Sequence, residues 1–241
     1  REIYDLGNGH LYKSRPHDYS VSESEIHDLI KSATNIPIPT IYYEWVTLEG
    51  DGSDDPGGVR IHHTIMDNIE GEALHEVWPH LNSQDKERLV SQFTDYLNEL
   101  RTVTSPSVIS VHGGPLPGEQ RILFDRGYVA QGPLSDEDSL WLAMTHHVRH
   151  SPSNTVQQAL IDLRAIMPDC LPAVLTHMDL RTSNILVRDG DIVGIVSWEH
   201  AAFYPRWMED VKFRYMRCDP ELEFVNAVVN RMQADPAAIK F

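Results

Sequence analysis

Basic residues are scarce in this chain. Lys and Arg number 20 against 36 Asp and Glu, a formal net charge of −16 with histidine neutral. That balance argues for no nucleic-acid partner, because such binders draw their affinity from cations facing phosphates. It permits a cationic ligand without requiring one, since an acidic surface also keeps a protein soluble. Cysteine is nearly absent. Cys170 and Cys218 are too few for a disulfide framework, which fits a reducing, cytoplasmic setting. No apolar run approaches the roughly 18 residues needed to cross a membrane, and Arg1-Glu2-Ile3-Tyr4 does not read as part of a signal peptide. Internal repeats and low-complexity blocks are also missing, and nothing specifies an oligomeric state.

What is present suits an ordinary globular chain. Its 241 residues are 41% hydrophobic and 23% charged, enough to bury a core without disulfide or metal staples. Polar and apolar side chains alternate around Gly7-Asn8-Gly9, which predicts a hairpin over residues 1–13. Ser22 to Ala33 predicts a helix capped by Ser22, with Ile26, Leu29 and Ile30 on one face. Ile36-Pro37-Ile38-Pro39 stops it. Thr40 to Leu48 and Val59 to Ile65 read as two strands around a Gly- and Asp-rich turn.

Beyond about Ile69 the chain turns helical. Ser83 to Arg101 sets Leu89, Phe93, Leu97 and Leu100 on one stripe. A Gly- and Pro-rich connection follows over 103–132, then helices over Ser135 to His150 and Ser153 to Met167. Leu186-Val187, Asp189-Gly190 and Ile192-Val193 predict a tight hairpin. The expected fold is α+β and two-lobed, with a small strand-rich lobe over 1–69 and a mainly helical lobe over 70–241. That layout is kinase-like, and layout alone carries little functional weight.

The chemistry concentrates in Thr176-His177-Met178-Asp179-Leu180-Arg181-Thr182-Ser183-Asn184, followed across the hairpin by Val196-Ser197-Trp198-Glu199. An Asp on a loop, with an Asn five residues later opening a strand, suits phosphoryl transfer. The Asp orients a substrate hydroxyl and accepts its proton, and the Asn holds a metal on the nucleotide.

These segments resemble the aminoglycoside phosphotransferase family, which is similar to choline kinases and, more remotely, protein kinases. The family's segment runs His-Gly-Asp, four residues, Asn, then Ile-Asp-Trp-Glu or a close relative. Lys13, then Glu23 or Glu25, then Thr34-Asn35-Ile36-Pro37-Ile38-Pro39 match its small lobe, and Met66-Asp67-Asn68-Ile69-Glu70-Gly71 matches its hinge. The resemblance covers most of the chain. It implies ATP and magnesium as cofactors and a small-molecule substrate. It implies Asp179 as catalytic residue with His177 beside it, and Asn184 as metal ligand. Lys13 would be the phosphate-binding lysine paired with a helix glutamate, for which Glu23 fits the spacing better than Glu25. Met66 and Asn68 would lie at the adenine.

Three departures stand out. Ser197 replaces the family's metal-gripping aspartate, and a neutral hydroxyl is a poor ligand for magnesium. Glu199, two residues on, is a further candidate metal ligand, pointing to the same side and reaching the metal with its longer side chain if the segment is extended. Met178 replaces the glycine of His-Gly-Asp. Ahead of Lys13 the first strand and phosphate-covering loop are short or missing.

Among other constellations, His146, His147 and His150 include a zinc-compatible i, i+4 pair on the expected helix, without a third ligand. Trp198, Tyr204 and Trp207 are candidates for substrate contact, whereas Trp141 reads as helix core. Three functions remain open from sequence. The first is ATP-dependent phosphoryl transfer to a substrate hydroxyl. The second reuses the pocket for nucleotide-independent acid–base chemistry through Asp179 or His177. The third is a pseudokinase acting as a non-catalytic binding module.

Overall fold

A computed structural model of the chain describes residues 1–16, 22–49, 58–116, 132–215 and 222–232. Cys218 lies outside the described residues. Strands β1 (Glu2–Gly7) and β2 (His10–Pro16) form the expected hairpin. Its turn, Gly7-Asn8-Gly9, holds φ of 77°, 53° and 77°, a left-handed run that glycine and asparagine adopt at least cost. Helix α1 (Glu23–Ala33) follows, and Ser22 caps it by accepting from the Glu25 N–H. Strands β3 (Ile41–Glu49) and β4 (Val59–Asp67) complete an antiparallel sheet in the order β1-β2-β4-β3.

Next come β5 (Glu72–Ala73), α2 (Leu74–Val77) and α3 (Ser83–Leu100). Asn82 starts α3 by accepting from the Asp85 N–H at 2.9 Å. The Gly- and Pro-rich connection contains two short strands the sequence did not announce, β6 (Thr104–Ser105) and β7 (Ile109–Ser110). Helix α4 (Glu137–Met144) is shorter than the expected 135–150. Thr145 ends it, turning its hydroxyl back onto the Trp141 carbonyl at 2.7 Å. Helix α5 (Asn154–Ile166) and strand β8 (Ala173–Thr176) follow.

Strands β9 (Ile185–Arg188) and β10 (Asp191–Ile195) meet through Asp189 and Gly190, at φ 54° and 80° as a two-residue hairpin turn requires. The chain continues through β11 (Ala202–Tyr204), α6 (Met208–Tyr215) and α7 (Leu222–Met232). Two further sheets run β10-β9-β5 and β6-β8-β11-β7.

The larger of two apolar clusters among the described residues joins these parts. Ile26 and Ile30 of α1 pack in the same cluster as Leu89 and Phe93 of α3, Ile185 and Ile195 of the β9–β10 hairpin, and Phe224 of α7. Burying such side chains is worth about 1.5–3 kcal/mol each. Helix α1 lies against the turn Trp198–His200, so packing brings its glutamates to the segment after β10. Among the described residues, no helix is long and apolar enough to cross a membrane.

Candidate active site

The loop after β8 is held from below by a carboxylate. Glu209, in the first turn of α6, accepts the backbone N–H groups of His177 and Met178 at 2.6 and 3.2 Å. The His177 ring bridges two backbone groups: Nδ1 accepts from the Asp179 N–H at 3.0 Å and Nε2 donates to the Val196 carbonyl at 3.0 Å. The ring is fully buried and lies 4.3 Å from the Trp198 ring. Burial pushes its pKa down to about 4, against the pull of Asp179 and the Val196 carbonyl. His177 is therefore neutral at pH 7 with both nitrogens engaged. It positions the loop, and both nitrogens that acid–base work would use are engaged with the backbone.

Asp179 faces outward from this frame, one-fifth exposed. Its Oδ1 accepts from Arg181 Nε at 2.8 Å and its Oδ2 from Asn184 Nδ2 at 3.1 Å. The same Asn184 amide donates to the Asp179 carbonyl at 2.8 Å. Two charge-assisted contacts fix the carboxylate, and lone pairs remain for a hydroxyl.

Lys13 reaches across from β2. Its Nζ lies 2.8 and 2.9 Å from the two oxygens of Glu23 and 2.9 Å from Glu199 Oε2, all three side chains being buried. Glu25 turns away and pairs with His112. Helix α1 is itself anchored to the sheet: Glu44 of β3 accepts from the N–H groups of Glu23 and Ser24 at 2.6 and 3.0 Å and from the Ser22 hydroxyl at 2.8 Å. His62 of β4 also contacts Glu44. Burial opposes ionisation of Glu44, but these partners outweigh it and hold the carboxyl far below its usual range.

Glu199 carries a second cation. Arg1 Nη1 lies 3.2 Å from Glu199 Oε1, and Arg1 Nη2 donates to Ser197 Oγ at 3.0 Å. Burial again opposes ionisation of Glu199, and Lys13 and Arg1 outweigh it and keep the carboxyl ionised. Ser197 takes φ 73° and ψ 50°, and Trp198–His200 form a helical turn. The segment is not extended, so the alternation expected to put Ser197 and Glu199 on one side does not apply.

The family model described as "Phosphotransferase enzyme family" matches residues 15–241. The chain belongs to this family. A crystal structure of a thermostable mutant of aminoglycoside phosphotransferase APH(4)-Ia in apo form is 14% identical, with a TM-score of 0.58 over 96% of this chain and 74% of that one. A ternary complex of such a mutant with AMP-PNP and hygromycin B is 14% identical, with a TM-score of 0.57 over 96% and 76%. The gentamicin–APH(2")-IIa complex is 14% identical, with a TM-score of 0.53 over 99% and 78%. No curated protein matches the chain. The fold is therefore the α+β, protein-kinase-like fold of the aminoglycoside phosphotransferases.

Within this phosphotransferase fold, several expected residues sit differently from their anticipated use. Asn68 gives its N–H to the Gly9 carbonyl at 2.8 Å, and Asp67 gives its own to Thr40 at 2.9 Å. Met66 is buried and pairs in register with both Leu11 and Ile41. Those hinge N–H groups are spent on the sheet. Trp198, Tyr204 and Trp207 are all at least 96% buried. Trp198 donates to the Ile195 carbonyl, and Tyr204 and Trp207 pack in a core with Met178 and Cys170. All three side chains are packed inside the fold. Trp141 is half-buried under the Arg164 guanidinium, 5.9 Å away. His146, His147 and His150 lie in the turns beyond the end of α4. Among the described residues, no group of three His, Cys, Asp or Glu is placed to hold a metal.

The magnesium expected of the family finds a poor donor set here. Asn184 Oδ1 accepts from Ser197 Oγ at 3.3 Å, and both oxygens of Glu199 face cations. Magnesium prefers hard anionic oxygens in near-octahedral array. The residues present do not fit it.

Sequence reasoning missed Glu209, Glu44, Arg1 and Arg181. Arg181 was within reach, two residues after Asp179. The others act across 18 to 196 positions of chain, for which no local signal exists.

Proposed function

We propose that the protein transfers the γ-phosphoryl group of ATP to a hydroxyl of a small molecule. Family membership supports a phosphotransferase-like enzyme. The observation that carries the finer reading is the Asp179 carboxylate: it is fixed by Asn184 and Arg181, partly exposed, and mounted on a loop tied down by Glu209. A substrate hydroxyl hydrogen-bonds to Asp179, which accepts its proton. The substrate oxygen forms the new bond to phosphorus as the bond from phosphorus to the bridging oxygen of ADP breaks. The nucleotide lies between segment 1–69, which brings Lys13 and Glu23, and segment 70–241, which brings Asp179 and Asn184. Lys13, held by two carboxylates, supplies positive charge beside the phosphates.

The solved relatives bound to AMP-PNP with hygromycin B, and to gentamicin, are in keeping with a nucleotide and a hydroxyl-bearing acceptor. The acid–base alternative loses its second group, because His177 is buried and bonded on both nitrogens. The test is ADP release from ATP across a panel of hydroxylated small molecules, with Asp179→Asn alongside. Turnover with one acceptor, reduced at least about 10³-fold in the variant, supports the reading. Turnover that survives Asp179→Asn sinks the assignment, and binding without turnover moves the protein to the non-catalytic class.

A further inference from the structure

The position that would carry a divalent cation in this fold is not vacant of charge. Arg1 presents two nitrogens to it: Nη1 at 3.2 Å from Glu199 Oε1 and Nη2 at 3.0 Å from Ser197 Oγ. Ser197 passes the contact on to Asn184 Oδ1 at 3.3 Å. Lys13 holds the opposite oxygen of Glu199 at 2.9 Å. Every side-chain oxygen a metal would need from Ser197, Asn184 and Glu199 is therefore already directed at a donor.

The pattern follows from the serine. An aspartate at 197 would add a second negative charge beside Glu199, a pair that attracts a divalent ion. With Ser197 neutral, Glu199 contributes the only charge of the three, and both its oxygens are already paired, one with Lys13, which Glu23 shares, and one with Arg1. A divalent ion entering here must displace Arg1 from Glu199 and Ser197, and the neutral Ser197 hydroxyl gives it a weak ligand in return. A planar guanidinium, by contrast, matches a carboxylate and a hydroxyl with parallel donors. The left-handed backbone of Ser197, φ 73°, aims its hydroxyl between Arg1 and Asn184.

We propose that the Arg1 guanidinium is the resident cation of this site, seated on Ser197 and Glu199 where it excludes divalent metal. The site is thus closed to metal by the protein's own side chain.

The test needs no nucleotide, so its failure leaves the phosphoryl-transfer reading standing. The intact protein is titrated with Mn²⁺, and free ion is followed by its electron paramagnetic resonance signal. Arg1 is 39% exposed at its side chain, so Arg1→Gln should fold, which circular dichroism checks. The expected result is weak Mn²⁺ binding by the unsubstituted protein, at least about tenfold tighter binding by Arg1→Gln, and none of that gain in Arg1→Lys, which keeps the charge. Ser197→Asp in the Arg1→Gln background should tighten it further. The proposal is overturned if the unsubstituted protein and Arg1→Gln bind Mn²⁺ equally, or if neither binds it.

Discussion

Lys13 Nζ stands 2.8 Å from Glu23 Oε1 and 2.9 Å from Glu199 Oε2, so one ammonium joins β2 to helix α1 and to the turn after β10. These three groups come from parts of the chain separated by 10 and 186 positions. All are buried, so the charges depend on one another for solvation.

Removing the lysine should expose that dependence. Lys13→Met strands the buried Glu23 carboxylate and takes from Glu199 one of its two cations, and is expected to cost about 3–5 kcal/mol in urea unfolding. Adding Glu23→Gln should recover part of the loss, because the two changes share one network. A cost below about 1 kcal/mol would show that the triad contributes little.

Glu44 is expected to govern helix α1. It accepts two backbone N–H groups and a hydroxyl at the start of the helix that carries Glu23. Glu44→Gln keeps the shape but loses the charge. Its expected cost is about 1–3 kcal/mol, with faster amide exchange concentrated in Glu23 to Ile26. Uniform exchange across the protein would remove the helix-anchoring role.

The buried imidazoles set the acid response. Burial lowers the pKa values of His177, His27 and His200, the first to about 4. Each folded value lies below that of the unfolded chain, near 6.5. As pH falls from about 6.5 to 4, the unfolded chain takes up protons that the folded protein refuses, and stability drops. For His177 alone the loss is roughly 3 kcal/mol, complete below pH 4 and absent above about 6.5. Glu44 and Glu199, held ionised by their partners, lose their contribution only in stronger acid. Urea midpoints between pH 7.5 and 4.5 measure this, and His177→Asn should flatten the slope.

Met178 sits at φ 66° where the family pattern has glycine, and its side chain is fully buried. Met178→Gly relieves about 1–2 kcal/mol of backbone strain but empties a packed volume worth about 2–5 kcal/mol. Packing wins, so the thermal midpoint should fall. A rise would mean that the cavity collapses at little cost.

Much of this was legible in the sequence because the signals are local. The Asp189-Gly190 turn, the Ser22 cap and the leucine stripe of α3 each state their geometry within a few residues. The five-residue spacing of Asp179 and Asn184 places them together, 3.1 Å apart, and Lys13 meets Glu23 while Glu25 pairs with His112. What failed needed tertiary context. The helical turn at Trp198–His200 overrode the extended reading of Ser197 to Glu199. Burial of Trp198, Tyr204 and Trp207 depends on sheet and helix packing that no aromatic count reveals. Arg1 and Glu209 act through contacts with residues far along the chain.

The most direct test of the central claim is a calorimetric titration of the intact protein with ATP, in buffers with and without magnesium. A nucleotide-dependent phosphotransferase should give saturable one-to-one binding in at least one of them, displaced by ADP. No heat of binding at millimolar ATP in either buffer would contradict it.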